Sequence, residues 1–163
     1  QIKSRLEDIW SYEQMLEDNG YTPSVRVLAD ELESADPVIA KALNLDDGSE
    51  VLLIEKLFLE NDEPAVLTHN RIPAELLDET AHPHDELPVY EFLEEYCDRR
   101  LSYYVSEIVP VAFDADQAKK LRGYKGTIGL ALVEVGYDSI NEALVHATSY
   151  FRDDLLRFKI IRR

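Results

Sequence analysis

The chain partly repeats itself at a fixed offset. Ala40, Lys41, Leu43, Gly48, Leu52 and Ala65 recur as Ala118, Lys119, Leu121, Gly126, Leu130 and Ala143, each 78 positions on (40 to 118), and Asp36 recurs as Asp114. No gap is needed to align them. Both stretches carry the same order of signals: a helix cap, a short amphipathic helix, a glycine, an apolar strand, a polar turn and a returning strand. A duplicated hairpin unit that builds one sheet is the simplest fold consistent with that order.

At 163 residues the chain makes one ordinary domain, able to bury roughly two-thirds of its unfolded surface without a metal or disulfide staple. Its 17 Lys and Arg stand against 33 Asp and Glu, a formal charge of −16. A phosphate backbone would be repelled, so this segment is not expected to bind DNA by itself. Cys97 is the one cysteine, which rules out an internal disulfide and suits a reducing compartment. Glu94, Glu95 and Asp98 beside it would raise its thiol pKa, which argues against a nucleophile. No apolar run approaches the roughly 20 residues of a membrane span, and no signal segment opens the chain. The expectation is a cytoplasmic protein with no membrane partner. Because the sequence begins at Gln1 rather than Met, it is read as a piece of a longer chain.

Residues 4–19 place Leu6, Ile9, Trp10 and Leu16 near helical spacing, with Gly20 as a C-cap. Val25, Val27 and Ala29 then alternate as in a half-buried strand. Asp36 and Asp114 are placed to cap the two short helices, with Pro37 suited to a first helical position. Strands are expected over 51–59 and 65–72 in the first copy, and over 128–137 and 142–151 in the second. The first of these is apolar except for Glu55 and Lys56, as in a strand covered on both faces. Between the copies lie an irregular acidic stretch over 74–88, an amphipathic helix marked by Val89, Phe92, Leu93 and Tyr96, and a long strand over 101–109. That strand should put Leu101, Tyr103, Val105, Glu107 and Val109 on one face, with Tyr104, Ser106 and Ile108 on the other. A tail over 158–161 could add an edge strand. The total is an α+β fold with about six mainly antiparallel strands and helices inserted between hairpins.

Little in the sequence reads as catalytic. His82 and His84 straddle Pro83 without a third ligand at a familiar spacing, so no metal is expected. His69 and His146, in the returning strands, are expected to be packed or hydrogen-bonded; the gapless alignment sets His69 opposite Ala147. No phosphate loop, nucleophile elbow or Cys-x-x-Cys pair is present. Tyr12, Tyr90, Tyr103, Tyr104 and Tyr150 fall on amphipathic elements, where a ring can line a cavity or pack in a core.

The element order, with the stretches Tyr21 to Val27, Glu60 to Ala65, Arg71 to Leu76, Val89 to Tyr96 and Ser149 to Asp154, closely resembles the UTRA domain. UTRA domains are the effector-sensing halves of HutC-type bacterial transcription regulators in the GntR superfamily. The resemblance runs from Arg5 to Phe158 and implies a chorismate-lyase-like α+β fold, a homodimer and no cofactor. It also implies that residues 1–4 are a linker remnant and 5–163 one sensing domain, with DNA contacted only through an N-terminal winged helix-turn-helix absent from this chain. By motif, the effector positions implied are Tyr12 (with Glu13), Lys56, Phe58, Thr68, Tyr90 (with Pro88), Val145 and Phe151. Sugar-phosphate sensors resemble one another in placing two arginines where this chain has Lys56 and Phe58, and acids where it has Thr68 and Val145. A lone lysine lacks the arginine fork that grips phosphate. The effector expected is therefore an anionic or amphipathic metabolite, a carboxylic acid or an aromatic compound. A dimerisation module with a vestigial pocket and a chorismate-lyase-like enzyme are the alternatives to this non-enzymatic reading.

Overall fold

The computed structural model describes residues 20, 22–79, 87–152 and 162. The expected opening helix, with Tyr12 and Glu13, the expected tail strand, and His82 and His84 lie outside the described residues. The elements are β1 (Pro23–Ser34), α1 (Pro37–Ala42), β2 (Glu50–Glu60), β3 (Glu63–Pro73), a 3-10 turn (Ala74–Leu76), α2 (Val89–Cys97), β4 (Tyr103–Ala112), α3 (Ala115–Lys120), β5 (Ile128–Tyr137) and β6 (Ala143–Phe151).

The duplication is visible down to single hydrogen bonds. The Asp36 carboxylate accepts the Ile39 N–H at 2.8 Å, and the Asp114 carboxylate accepts the Gln117 N–H at 2.8 Å. Each satisfies a helix-start donor that would otherwise be orphaned. Gln117 returns the favour by accepting the Asp114 N–H at 3.1 Å, a full capping box. Both helices stop after two turns, where Asn44 and Arg122 take left-handed φ angles of 55° and 54°. Gly48 and Gly126, at φ 77° and 85°, then turn the chain into β2 and β5, a backbone conformation that favours glycine.

The sheet order is β1-β2-β3-β6-β5-β4, antiparallel throughout. The two βαββ units therefore meet along β3 and β6, related by an approximate two-fold axis through the facing pair His69 and Thr148. One detail of the gapless alignment is corrected. Lys56 faces Thr68, while its counterpart Glu134 faces Ala147, so beyond the hairpin the structural offset is 79 (68 to 147). Both hairpins carry the same irregularity, at Phe58 and Leu59 and at Gly136 and Tyr137, so the extra residue lies in the turn: two residues separate Glu60 from Glu63 and three separate Asp138 from Glu142. His69 is thus equivalent to Thr148, not Ala147, and the identity of Ala65 with Ala143 is coincidental.

Side chains alternate across the sheet. Leu52, Ile54 and Ile72 pack with Val145 against Phe92, Leu93 and Cys97 of α2. On the opposite face Val51 packs with Ile39 and Ala40 of α1, and Leu57 and Leu67 pack with Ala118 of α3. β2 is buried from both sides, as its apolar run requires. The edge strands differ from expectation. β1 runs to Ser34 because it pairs with β2 over its whole length, and a bulge at Leu28 breaks the alternation that marks its start. β4 is amphipathic in sequence but lies at the other edge, leaving Val105 57% and Ile108 45% exposed. Leu101, ahead of the strand, packs with Tyr104 against the α2 cluster rather than sharing the Tyr103 face.

Cys97 is buried in that cluster. Burial pushes its thiol up to about 11, with Asp78 adding to the rise and Arg99 opposing it. The thiol is raised as expected, but mainly by burial rather than by Glu94, Glu95 and Asp98. The folded domain should therefore resist a disulfide reagent such as dithiobisnitrobenzoate at neutral pH and react once unfolded in guanidinium; rapid reaction of the folded form would contradict this placement.

Candidate functional site

Alternation on β2, β3, β6 and β5 assembles two adjoining cross-strand rows on the α2 face. One row reads Lys56, Thr68, Ser149, Leu132, and the next reads Ile54, Asn70, Ala147, Glu134. Beside them a third row, Phe58, Val66, Phe151, Leu130, forms an apolar cluster with Leu132. A polar strip thus crosses the middle of an otherwise apolar face, where hydrogen-bonding groups are costly unless something satisfies them.

Lys56 is 3% exposed, and its Nζ donates to the Leu87 carbonyl at 2.6 Å. That bond ties the entry of α2 to the sheet and brings Lys56 beneath the segment that carries Pro88 and Tyr90. Tyr90 is half-buried and donates its hydroxyl to Glu91 at 3.0 Å; this bond, helped by burial, holds its hydroxyl above the usual tyrosine range. Thr68 is 2% exposed, and its Oγ1 is buried with no hydrogen-bond partner among the described residues.

Of the sequence-expected positions, Lys56 and Thr68 are cross-strand neighbours. Phe58 and Phe151 share one cluster, and Tyr90 joins the group through the α2 entry. Val145 lies in the α2 core cluster with Ile54, two residues before Ala147 on β6, and so borders the polar strip on its α2 side. Sequence reasoning did not single out Asn70, Ser149 and Glu134; period-two alternation from Thr68 reaches Asn70, whereas Ser149 and Glu134 join the strip only through the strand pairing. Among the described residues a cavity of about 460 Å³ opens near the end of α1, between Glu75 and the β5–β6 hairpin. None of the expected site residues lines it.

The opposite face carries an ionic network instead. Glu55, buried on β2, meets His69 Nε2 at 2.6 Å and Lys120 Nζ at 3.0 Å. Arg71 pairs with Glu33 at 2.7 Å. His69 also stands edge-on to Tyr150, so it is packed and hydrogen-bonded as expected. His146 is buried, and that burial, with Arg71 nearby, holds its pKa below the usual histidine value. Thr148 faces His69, yet no hydrogen bond joins them among the described residues. Also among the described residues, no group of His, Cys, Asp and Glu could hold a metal ion, and no helix is long and apolar enough to cross a membrane.

A family profile described as UTRA domain matches residues 18–157. The fold is shared with PhnF from Mycobacterium smegmatis, with a TM-score of 0.85 and 23% identity over 96% of this chain and 69% of that one. It is shared too with the effector domain of PhnF, with a TM-score of 0.82 and 22% identity over 94% of each chain. The ligand-binding domain of a putative GntR-family transcriptional regulator from Bordetella bronchiseptica gives 0.77 and 19% over 86% of this chain and 91% of that one. Comparison with curated proteins gave no match. With its fold and its matched span in agreement, the chain belongs to the UTRA domain family.

Proposed function

We propose that this domain senses a small-molecule effector on the α2 face of its sheet and passes the binding energy to an attached DNA-binding half, within a cytoplasmic homodimeric regulator of the HutC type. The observation that carries the reading is the polar strip built on Lys56 and Thr68, with a buried threonine hydroxyl that no group among the described residues satisfies. Folded proteins rarely keep such an atom without a use for it.

The ligand class follows from the side chains. Lys56 supplies one compact positive charge, without the two-point grip of an arginine, while Phe58, Phe151 and Tyr90 offer apolar surface beside it. An amphipathic carboxylate or an aromatic acid fits this set better than a sugar phosphate. The effect on DNA is a population shift: the effector acts through its different affinities for two arrangements of the dimer. A tenfold change in operator affinity needs only about 1.4 kcal/mol of coupling. The test is a thermal-shift screen of the purified domain. Carboxylates and aromatic acids should raise its melting temperature; stabilisation by sugar phosphates alone would overturn the ligand class, and no stabilisation by any of these compounds would count against sensing.

A further inference from the structure

The two halves of the sheet carry opposite charges at the same place. Glu134 on β5 is the structural counterpart of Lys56 on β2 (56 to 134), and both face the α2 side. Between them β3 and β6 contribute only small or hydrogen-bonding groups: Thr68 and Asn70 on one strand, Ala147 and Ser149 on the other. All four are buried.

Glu134 is half-buried and accepts the Ser106 hydroxyl on Oε2 at 2.8 Å. Its other oxygen carries no hydrogen bond among the described residues, and no Lys, Arg or His side chain pairs with it there. Burial raises its pKa, with the Ser106 bond opposing the rise, as for a carboxylate whose charge lacks compensation. The Asn70 amide likewise has no hydrogen-bond partner among the described residues. The methyl group of Ala147 is all that separates Asn70 from Glu134 within their row, so the sheet is shallow between them. The hydroxyl of Thr68, buried and unpartnered among the described residues, borders the same floor.

We propose that the floor of Ala147 and Ser149, walled by Thr68, Asn70 and Glu134, is a second subsite that receives a cationic, hydrogen-donating end of the effector, so that the domain selects amphoteric ligands whose anionic end meets Lys56. This rests on the sensing reading above and narrows it. Lys56 and Glu134 stand three strand spacings and one row apart, roughly 16 Å between backbones, and side chains reaching inward leave room for a ligand with a short apolar spacer between its charges. Asn70 and Thr68 would satisfy the donor's remaining hydrogens, and the cation would supply the compensation that Glu134 lacks.

Calorimetric titration of the domain with the ω-amino acids from 4-aminobutanoate to 8-aminooctanoate, against unsubstituted carboxylates of the same lengths, tests this. At least one amino acid should bind tenfold or more tightly than its carboxylate partner. Glu134→Gln, which keeps the acceptor for Ser106, should bring that ratio close to one. Asn70→Leu, on another strand, should reduce it and serves if the first variant fails to fold. Equal affinity within every pair, or a ratio unmoved by Glu134→Gln, overturns the second subsite while leaving carboxylate sensing at Lys56 intact. No binding by any ω-amino acid also overturns it, and the thermal-shift screen then decides the broader reading separately.

Discussion

Gly129→Val should lower the stability of the domain by about 3 kcal/mol, the upper end of ordinary overpacking, and adding Phe113→Ala should return part of that loss. A β-carbon at Gly129 would overlap the ring of Phe113 and come within 2.8 Å of the Phe151 carbonyl oxygen. The duplication explains why glycine stands there. In the first half the equivalent positions are Ala35 and Val51, both buried in one cluster with α1; in the second they are Phe113 and Gly129. Each half fills the same volume with one small and one larger residue, but the bulk has moved from the strand to the residue ahead of the helix. The double variant approximates the first half's arrangement in the second, and the Phe151 carbonyl contact, with the ring volume lost from the cluster of Leu57, Leu59 and Leu67, keeps the recovery incomplete. Urea unfolding of the single and double variants measures the coupling; strictly additive losses would show that the two halves do not share this packing logic.

Phe92→Ala should cost about 3–5 kcal/mol. Phe92 is 1% exposed, at the centre of the cluster that docks α2 on Leu52, Ile54, Ile72 and Val145, with its ring 5.0 Å from that of Tyr96. At nine residues α2 is too short to persist alone in water, so its order depends on this face. Lys56 grips the chain just ahead of α2 through Leu87; loosening α2 therefore loosens the roof of the polar strip, and any ligand-induced rise in melting temperature should shrink with it. A loss below about 1 kcal/mol in urea unfolding would mean that α2 is held by something other than its apolar face.

Much of this fold could be read from the residues because local signals repeat. Asp36 and Asp114 announced the caps, Gly48 and Gly126 the breaks, and the apolar run from Val51 to Leu59 a strand buried on both faces. The hairpin shift went unseen, since one extra residue in a polar turn leaves no mark on composition while it changes which β6 residue faces which β3 residue. Strand order was also silent: β4 and β1 look as amphipathic as inner strands, and only pairing makes them edges. At the site, Lys56 stood out as a charge within an apolar run. Thr68 came from family resemblance, and the structure adds that its hydroxyl is buried without a partner among the described residues. Glu134 did not stand out, because in a chain with so many acids a single carboxylate carries no signal until the pseudo-two-fold axis sets it against Lys56. Val145, expected from the resemblance, packs under α2 with Leu52, Ile54 and Ile72.

Effector sensing depends most on an anion meeting Lys56 at the α2 face, and calorimetry on Lys56→Met tests that directly. Methionine nearly matches the apolar stem of lysine, so the cost to the unliganded fold falls on the polar contacts of Nζ, among them the bond to the Leu87 carbonyl, worth about 1 kcal/mol for one lost hydrogen bond. Titrated with the carboxylate that most raises the melting temperature of the unaltered domain, the variant should bind at least tenfold more weakly while keeping a cooperative unfolding transition. Unchanged affinity in a folded Lys56→Met domain would contradict the account and move the effector off this face.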